Sequence, residues 1–177
     1  MNIRLATIED FASIQSVMNE AYRPAGVRGW TDENALLTGA RIGAQQLIEV
    51  LQRPGTAMLV GELSPHGVVA TILLEHTGAA VYLGMLAVSP ERQARGMGKQ
   101  LLAAAEAYAS THWQPQRFVM SVLSARSELI NFYLRRGYAR TGKVLDFPHD
   151  ANVGVPKVPG LTLDELVKIL PSHDIIY

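Results

Sequence analysis

The order of hydrophobic and polar positions along the chain predicts a mixture of helices and strands. Apolar residues recur at helical spacing in four stretches, 11–22, 44–51, 99–110 and 128–136. Runs rich in β-branched and aliphatic residues, bounded by turn residues, predict strands over 3–6, 57–63, 68–75, 81–88, 117–123 and 138–145. Short turns join the three runs between 57 and 88, which predicts an antiparallel meander.

The stretch from 161 to 170 is compatible with both a helix and a strand. Thr162 and Glu165 have the spacing of a helix capping box, and helix-forming residues dominate the stretch. Leu163, Val167 and Ile169 also keep the alternation of a strand. The residues alone therefore leave both structures open.

The composition is that of a folded protein with a sizeable core. The chain has 177 residues, of which 48% are hydrophobic and 18% are charged. Its 16 basic and 16 acidic residues cancel, so no overall field draws the chain to nucleic acid or to an anionic membrane. We expect one domain spanning 1–177, with neither nucleic acid nor membrane as a partner.

Cysteine usage and hydropathy narrow the chemistry further. The sequence contains no cysteine, which excludes disulfides, thiolate metal sites and a cysteinyl thioester intermediate. The start lacks the apolar core of a signal peptide, and no apolar run approaches the roughly 20 residues of a membrane-spanning helix. The histidines do not have metal-ligand spacing. We therefore expect a cytoplasmic protein without a metal.

The segment between 83 and 99 has the features of a phosphate-binding turn. A predicted strand ends at Ser89-Pro90, and a helix follows Gly98. The first turn of a helix has unpaired backbone N–H groups and a positive dipole end, and glycines let a phosphate approach closely. Arginines and a lysine add positive charge here, namely Arg92, Arg95 and Lys99. This pattern predicts a pyrophosphate site.

Two common phosphate motifs do not fit this segment. A P-loop needs a glycine where Gln93 stands, and a serine or threonine where Gln100 stands. A dinucleotide-binding fingerprint needs a third glycine at Leu101. The segment is therefore of another kind.

Two motifs resemble those of the GNAT family of N-acetyltransferases. Gln93-x-x-Gly96-x-Gly98, preceded by Leu86-Ala87-Val88-x-Pro90, resembles the acetyl-CoA signature of that family. The run Asn131-Phe132-Tyr133-Leu134-Arg135-Arg136-Gly137-Tyr138 resembles its later helix-to-strand element. Of these residues, Phe132 and Tyr138 are expected in the core, and Gly137 is expected to end the helix.

The resemblance covers roughly residues 3–145 and implies the α/β GNAT acyl-CoA N-acyltransferase fold. This fold has a mixed central sheet of about seven strands flanked by about four helices. Family members usually finish with one more strand paired to the sheet, which favours a strand over 161–170. Some pair into homodimers through the late strands.

The resemblance also implies roles for individual residues. The CoA pyrophosphate would lie on the turn formed by Gln93, Ala94, Arg95, Gly96, Met97, Gly98 and Lys99. The pantetheine arm would pair with the backbone of Leu86, Ala87 and Val88. Asn131 would hydrogen-bond the cofactor arm, and Tyr133 would give a proton to the departing thiolate.

The implied reaction is transfer of an acetyl group from acetyl-CoA, the cosubstrate, to a primary amine by direct attack in a ternary complex. A small-metabolite amine is the favoured acceptor, and a protein N-terminus or lysine is not excluded. One alternative is a non-catalytic acyl-CoA-binding or sensing domain of the same fold. Another is a different phosphate-ligand protein, such as a nucleotide binder.

The candidate acceptor-binding residues predict acceptors of opposite charge. Arg23, Arg28 and Arg41 would suit a carboxylate, whereas Asp32 and Glu33 would suit a cationic amine. Trp30 lies in the same segment as a further candidate. The residues that could act as a base, or contact the acceptor, are Glu62, Glu75, His76 and Tyr82, and the sequence does not choose among them.

Overall fold

Seven strands form one mixed sheet flanked by four α-helices in the computed structural model, which describes residues 1–26, 31–93 and 95–171. The helices are α1 Phe11–Tyr22, α2 Ala44–Leu51, α3 Met97–Trp113 and α4 Ser127–Leu134. The strands are β1 Asn2–Leu5, β2 Leu37–Thr38, β3 Thr56–Leu63, β4 Gly67–Thr77, β5 Ala80–Val88, β6 Arg117–Leu123, β7 Ala139–Asp146, β8 Val155–Pro156 and β9 Thr162–Ile169. Each helix and each of the six strands that the hydrophobic pattern predicts is present, with ends shifted by up to three residues.

The large sheet has the order β1-β3-β4-β5-β6-β9-β7. All neighbours are antiparallel except β5 and β6, which run parallel. The predicted meander is therefore β3-β4-β5, and α3 makes the crossover from β5 to β6. This arrangement confirms the expected GNAT fold class.

The ambiguous tail is a strand, as the family resemblance favours. β9 lies between β6 and β7 and forms an antiparallel ladder with each of them. Its residue Leu166 is fully buried. Because both edges of β9 are hydrogen-bonded, sheet pairing outweighs the local helix preference of residues 162–170.

Helices cover both faces of the sheet, and successive residues of the central strands point to opposite cores. Leu101 and Leu102 of α3 pack in one core with Ile72 and Leu74 of β4. On the other face, α1 and α2 pack in a second core that includes Leu73. The strand β4 is buried from Val69 to Leu74, which is typical of a strand covered on both faces.

A small second ladder was not predicted from the sequence. β2 pairs antiparallel with β8, joining the segment after α1 to the loop between β7 and β9. Beneath it lies a minor core of Leu37, Leu123 and Phe147. These two strands have only two residues each, too few to show a periodic pattern.

The buried carboxylate of Asp10 fixes the turn between β1 and α1. Both oxygens of Asp10 accept hydrogen bonds from the Arg4 guanidinium, at 2.7 and 2.8 Å. One of them also accepts the Thr7 amide at 2.7 Å. The Arg4 bond is the main reason that the pKa of Asp10 falls below its ordinary value, to about 2.

We expect Asp10→Asn to lower the free energy of unfolding by about 1–2 kcal/mol, because the charge-assisted bonds are lost. Because the folded pKa of Asp10 is depressed, its contribution is complete above its ordinary pKa near 4 and disappears as the pH falls toward about 2. Urea unfolding at neutral pH and at about pH 2 measures both effects. An equal difference between the two proteins at both pH values would contradict this account.

None of the helices in the described ranges is long and apolar enough to cross a membrane.

Candidate active site

The parallel strands β5 and β6 separate in the middle of the sheet. Their ladder covers only Ala80–Tyr82 of β5, paired with 117–119 of β6. In the described part of the chain, the rest of β5 has no partner on that side, while β6 continues in pairing with β9. The separation opens a wedge between the two strands, with backbone groups of β5 along one wall.

A β-bulge lies in β5 beside the wedge. Thr71 of β4 pairs with Ala87, whereas Leu73 pairs with Gly84, so β5 has one extra residue in this interval. Met85, inside the bulge, has φ of +52°, a left-handed conformation that is uncommon for a residue with a side chain. The bulge redirects the backbone of Met85 and Leu86.

Two side chains hold the carbonyls of the bulge. The hydroxyl of Tyr22, at the end of α1, donates to the Leu86 carbonyl at 2.8 Å. The Thr71 hydroxyl donates to the Met85 carbonyl at 3.1 Å. Burial raises the pKa of Tyr22 to about 12, so its hydroxyl keeps its proton at neutral pH. These bonds fix the orientation of the peptide groups that face the wedge.

The glycine turn leads from β5 to the start of α3. Gly96 has φ of +74° and is the residue immediately before the helix. The first amide to donate inside the helix is that of Gln100, to the Gly96 carbonyl at 3.0 Å. The amides of Met97, Gly98 and Lys99 precede it and have no intrahelical acceptor. With the positive dipole end of a 17-residue helix, they have the properties that binding of an anion requires.

The side chains of the turn divide into two groups. The Gln93 amide donates to the Val88 carbonyl at 2.8 Å and to the Thr31 hydroxyl at 3.2 Å, so it holds the turn against the end of β5. Arg95 and Lys99 are exposed. Ala94 lies outside the described residues.

Tyr133 lies in the last turn of α4. Its side chain is buried, with aromatic edge contacts to Phe132 and Tyr138 at centroid distances of 5.1 and 5.9 Å. Among the described residues, no group hydrogen-bonds its hydroxyl. Burial raises the pKa of Tyr133 well above the ordinary value for tyrosine, so the phenol stays protonated.

A cavity of about 510 Å³ joins these features. Its lining includes Tyr22, Arg41, Tyr82, Met85, Leu86 and Tyr133. The bulge and the Tyr133 side chain therefore line one space, together with residues at the end of α1 and in β2. A volume of this size suits a small ligand.

Arg23 and Glu33, two of the candidate acceptor residues, form a buried ion pair. The Arg23 guanidinium lies 2.8 Å from the Glu33 carboxylate and also donates to the carbonyls of Tyr22 and Val153. Arg126, just before α4, lies 4.0 Å from the other oxygen of Glu33. These partners tie the segment after α1 to α4 and to the loop after β7.

The remaining candidates have different surroundings. Glu75 and Tyr82 line the cavity, and Glu75 has a loose ion pair with Arg53 at 3.4 Å. Glu62 is paired with Arg4 at the sheet edge, at 2.5 Å, and does not line this cavity. His76 stacks on Trp113 at a centroid distance of 5.5 Å.

Three further predicted residues do not line the cavity or are not described. Asn131 is exposed on α4 and is not among the residues that line the cavity. Arg28 and Trp30 lie outside the described residues. Within the described ranges, no group of three or more metal-ligating side chains is present.

Tyr22 and Thr71 have contacts at the site that the sequence did not predict. Tyr22 has the spacing of a core residue of α1, and its hydroxyl bond becomes visible only once the bulge of β5 is known. Thr71 lies inside a continuous apolar strand, where its hydroxyl is the only polar side-chain group between Val68 and Leu74. This isolated polar residue in an apolar strand was the signal in the sequence that could have pointed to the role of Thr71.

Comparisons with known proteins agree with this geometry. Residues 54–140 match the family model described as acetyltransferase (GNAT) domain. The protein smu.2055 from Streptococcus mutans UA159 has a similar structure, with a TM-score of 0.74, 16% identity and coverage of 97% of this chain and 100% of that one. None of the curated proteins matches the sequence.

Two named acetyltransferases have similar structures. A ribosomal-protein-alanine N-acetyltransferase from Brucella melitensis has a TM-score of 0.72 at 20% identity, covering 96% of this chain and 100% of that one. The ribosomal-protein-S18-alanine N-acetyltransferase from Escherichia coli has a TM-score of 0.71 at 12% identity, covering 99% and 98%. At these identities the likeness shows the fold. The matched segment contains the wedge, the bulge, the glycine turn and Tyr133, so residues 54–140 of this chain belong to the GNAT acetyltransferase family, and the chain has the GNAT fold.

Proposed function

We propose that this protein is an N-acetyltransferase that transfers the acetyl group of acetyl-CoA to a primary amine of a small metabolite. The observation that carries this proposal is the order of three features along the chain, which together define a path: the part of β5 that lines the cavity with Tyr133, the open edge of β5, and the glycine turn before α3. A phosphate-bearing thioester would follow this path, with its reactive end in the cavity.

The backbone of the turn and of β5 would hold the cofactor. The pyrophosphate is assigned to the amides at the start of α3, with Arg95 and Lys99 adding exposed positive charge nearby. The pantetheine arm is assigned to the part of β5 from Leu86 to Val88, which β6 leaves unpaired. A bulge amide is suited to polarise the thioester carbonyl, because its direction is fixed by the bonds from Tyr22 and Thr71.

In the proposed reaction, the neutral amine attacks the thioester carbonyl carbon. A C–N bond forms and the C–S bond breaks, giving an amide and the CoA thiolate. The amine nitrogen loses one proton to water, and Tyr133 donates one to the thiolate sulfur. Water then returns a proton to the Tyr133 phenolate, so the products are the amide and the CoA thiol. Direct transfer agrees with the absence of cysteine, because no cysteinyl intermediate can form.

A thiol-release assay tests this function. Purified protein is incubated with acetyl-CoA and a panel of amines, and free CoA is followed colorimetrically, with mass spectrometry of the product. Amine-dependent release with an acetylated amine supports the proposal. Binding of acetyl-CoA without turnover of any amine would favour the non-catalytic acyl-CoA-binding alternative.

We expect Tyr22→Phe to lower kcat about 3- to 10-fold, because the Leu86 carbonyl loses its hydrogen bond and the bulge is less well oriented. The KM for acetyl-CoA should change by less than about twofold, since the turn is untouched. Steady-state kinetics measures both values. Thr71→Val is the matched second variant because it frees the neighbouring carbonyl, and unchanged kcat in both proteins would contradict this role.

A further inference from the structure

Arg41 lines the cavity and has no ionic partner among the residues that the structure describes. Its backbone amide donates to the Asn19 side chain at 2.7 Å, which fixes the residue beside α1. The guanidinium lies over the Tyr22 ring, 5.2 Å from the ring centre. Its Nη1 is buried with no hydrogen-bond acceptor, and no carboxylate in the described ranges forms an ion pair with it.

The neighbouring arginines differ from Arg41 in having an ionic partner, although the Nε of Arg23 is also buried without a hydrogen-bond acceptor. Arg23 is paired with Glu33 at 2.8 Å, and Arg53 reaches Glu75 at 3.4 Å. Glu33, one of the two acids that the sequence offered for a cationic acceptor, lies between two arginines, which balance its charge. The sequence suggested both a carboxylate acceptor, through the arginines, and a cationic acceptor, through the acids. Among the described residues, Glu33 has an ionic partner and Arg41 has none, which favours the carboxylate.

A buried guanidinium N–H without an acceptor is costly, so a cavity that keeps one gains most from a ligand that supplies the acceptor. Planar carboxylates match the guanidinium fork and give charge-assisted hydrogen bonds. A doubly charged phosphate is less suitable here because four acids, Glu33, Glu49, Glu75 and Asp150, also line the cavity.

Arg41 is also placed at a useful distance from the reacting groups. One face of the Tyr22 side chain carries the Arg41 guanidinium, and its hydroxyl holds the Leu86 carbonyl at the bulge. A short molecule can therefore place a negative group at Arg41 and its amine at the bulge. The same cavity contains Tyr133.

We propose that the acceptor is a small amino carboxylate whose carboxylate binds Arg41 while its amine faces the thioester. This inference rests on the proposed acetyl transfer and narrows it to one class of acceptor. Arg41 is a specificity-determining residue in this assignment, and Tyr133 and the bulge carry out the transfer.

The test compares each carboxylate with its own neutral analogue. The panel contains the α-amino acids, β-alanine and γ-aminobutyrate, each beside its carboxamide, with phosphoethanolamine and spermidine as phosphate and polycation probes. For the wild type, kcat/KM for the best carboxylate should exceed that for its amide about 10- to 100-fold. In Arg41→Gln the kcat/KM values for the carboxylate and for its amide should become about equal. Arg41→Lys should restore part of the preference for the carboxylate.

Arg140→Gln is the matched charge control. Arg140 is half-exposed on β7, is paired with Asp164 at 3.2 Å and does not line the cavity, so its loss should leave the carboxylate preference unchanged. Acetyl-CoA titration of every variant shows that the donor site is intact. This control separates a local effect of Arg41 from a general effect of net charge.

The outcomes distinguish this inference from the function on which it rests. Loss of the carboxylate preference in Arg41→Gln, with acetyl-CoA affinity retained, supports the assignment. Turnover of amides, phosphoethanolamine or spermidine at least as fast as carboxylates would overturn it and leave acetyl transfer standing. An equal preference in wild type and Arg41→Gln would also overturn it, whereas failure to bind acetyl-CoA would reject the function itself.

Discussion

Replacing Tyr133 with phenylalanine is expected to lower kcat by about 100- to 10 000-fold while the affinity for acetyl-CoA is retained. The phenol is buried in the cavity, and the described protein supplies no hydrogen-bond partner to it, so its proton is available to a ligand. Phenylalanine keeps the ring and its contacts with Phe132 and Tyr138 but has no proton to donate. Thiol-release kinetics and titration calorimetry separate the rate from the affinity.

The matched control is Tyr138→Phe, which removes another buried tyrosine hydroxyl close by. That hydroxyl donates to Glu106 at 2.7 Å and does not line the cavity, so kcat should stay within about twofold of the wild type. Equal rates in Tyr133→Phe and the wild type would show that another group protonates the thiolate.

The pH dependence of kcat tests the protonation state of Tyr133. Burial raises its pKa above the ordinary value near 10, so the acid form persists throughout the neutral range. We therefore expect no loss of kcat between about pH 7 and 9 from deprotonation of this residue. A rate that falls with rising pH over this range in the wild type but not in Tyr133→Phe would contradict the raised pKa of Tyr133, while leaving its role as the acid standing.

Replacing Glu33 with glutamine is expected to lower the free energy of unfolding by about 3 kcal/mol, or the melting temperature by roughly 6–12 °C. The carboxylate lies between the side chains of Arg23 and Arg126, all of which are about nine-tenths buried. Removing the negative charge takes the counter-ion from the buried guanidinium of Arg23. Thermal unfolding followed by circular dichroism measures the change.

Lys143→Gln is the control for this prediction. Lys143 is exposed and lies 3.5 Å from Glu165, so the loss of its ion pair should change the free energy of unfolding by less than about 0.5 kcal/mol. Similar melting temperatures for Glu33→Gln and Lys143→Gln would mean that the buried group contributes little. The segment after α1 would then be held mainly by its backbone bonds, such as that from the Glu33 amide to Tyr22.

The spacing of apolar residues predicts most of this fold, because most helices bury one stripe of residues and most strands form apolar runs. The helix α1 shows its buried face through Ile14, Val17 and Met18, and the meander strands show theirs through apolar runs. The strand β9 is different, because its local preference is helical and its structure comes from pairing with β6 and β7. That pairing is a property of the sheet, and only the family resemblance suggested it.

The cofactor site follows from sequence more readily than the acceptor site. Backbone amides around two spaced glycines form the turn. These positions are contiguous in the sequence, so a short motif identifies them. The acceptor cavity instead joins side chains from α1, the segment before α2, β4, β5 and α4. Whether Arg23 or Arg41 has a partner depends on Glu33, and no spacing rule predicts which arginine pairs with it.

Isothermal titration with acetyl-CoA, with CoA and ATP as controls, tests the central claim most directly. We predict saturable binding of acetyl-CoA and CoA in the micromolar range and no binding of ATP, because the turn and the open edge of β5 together match a pantetheine-bearing pyrophosphate. Binding of neither coenzyme form would contradict the account and reduce the glycine turn to an ordinary helix start.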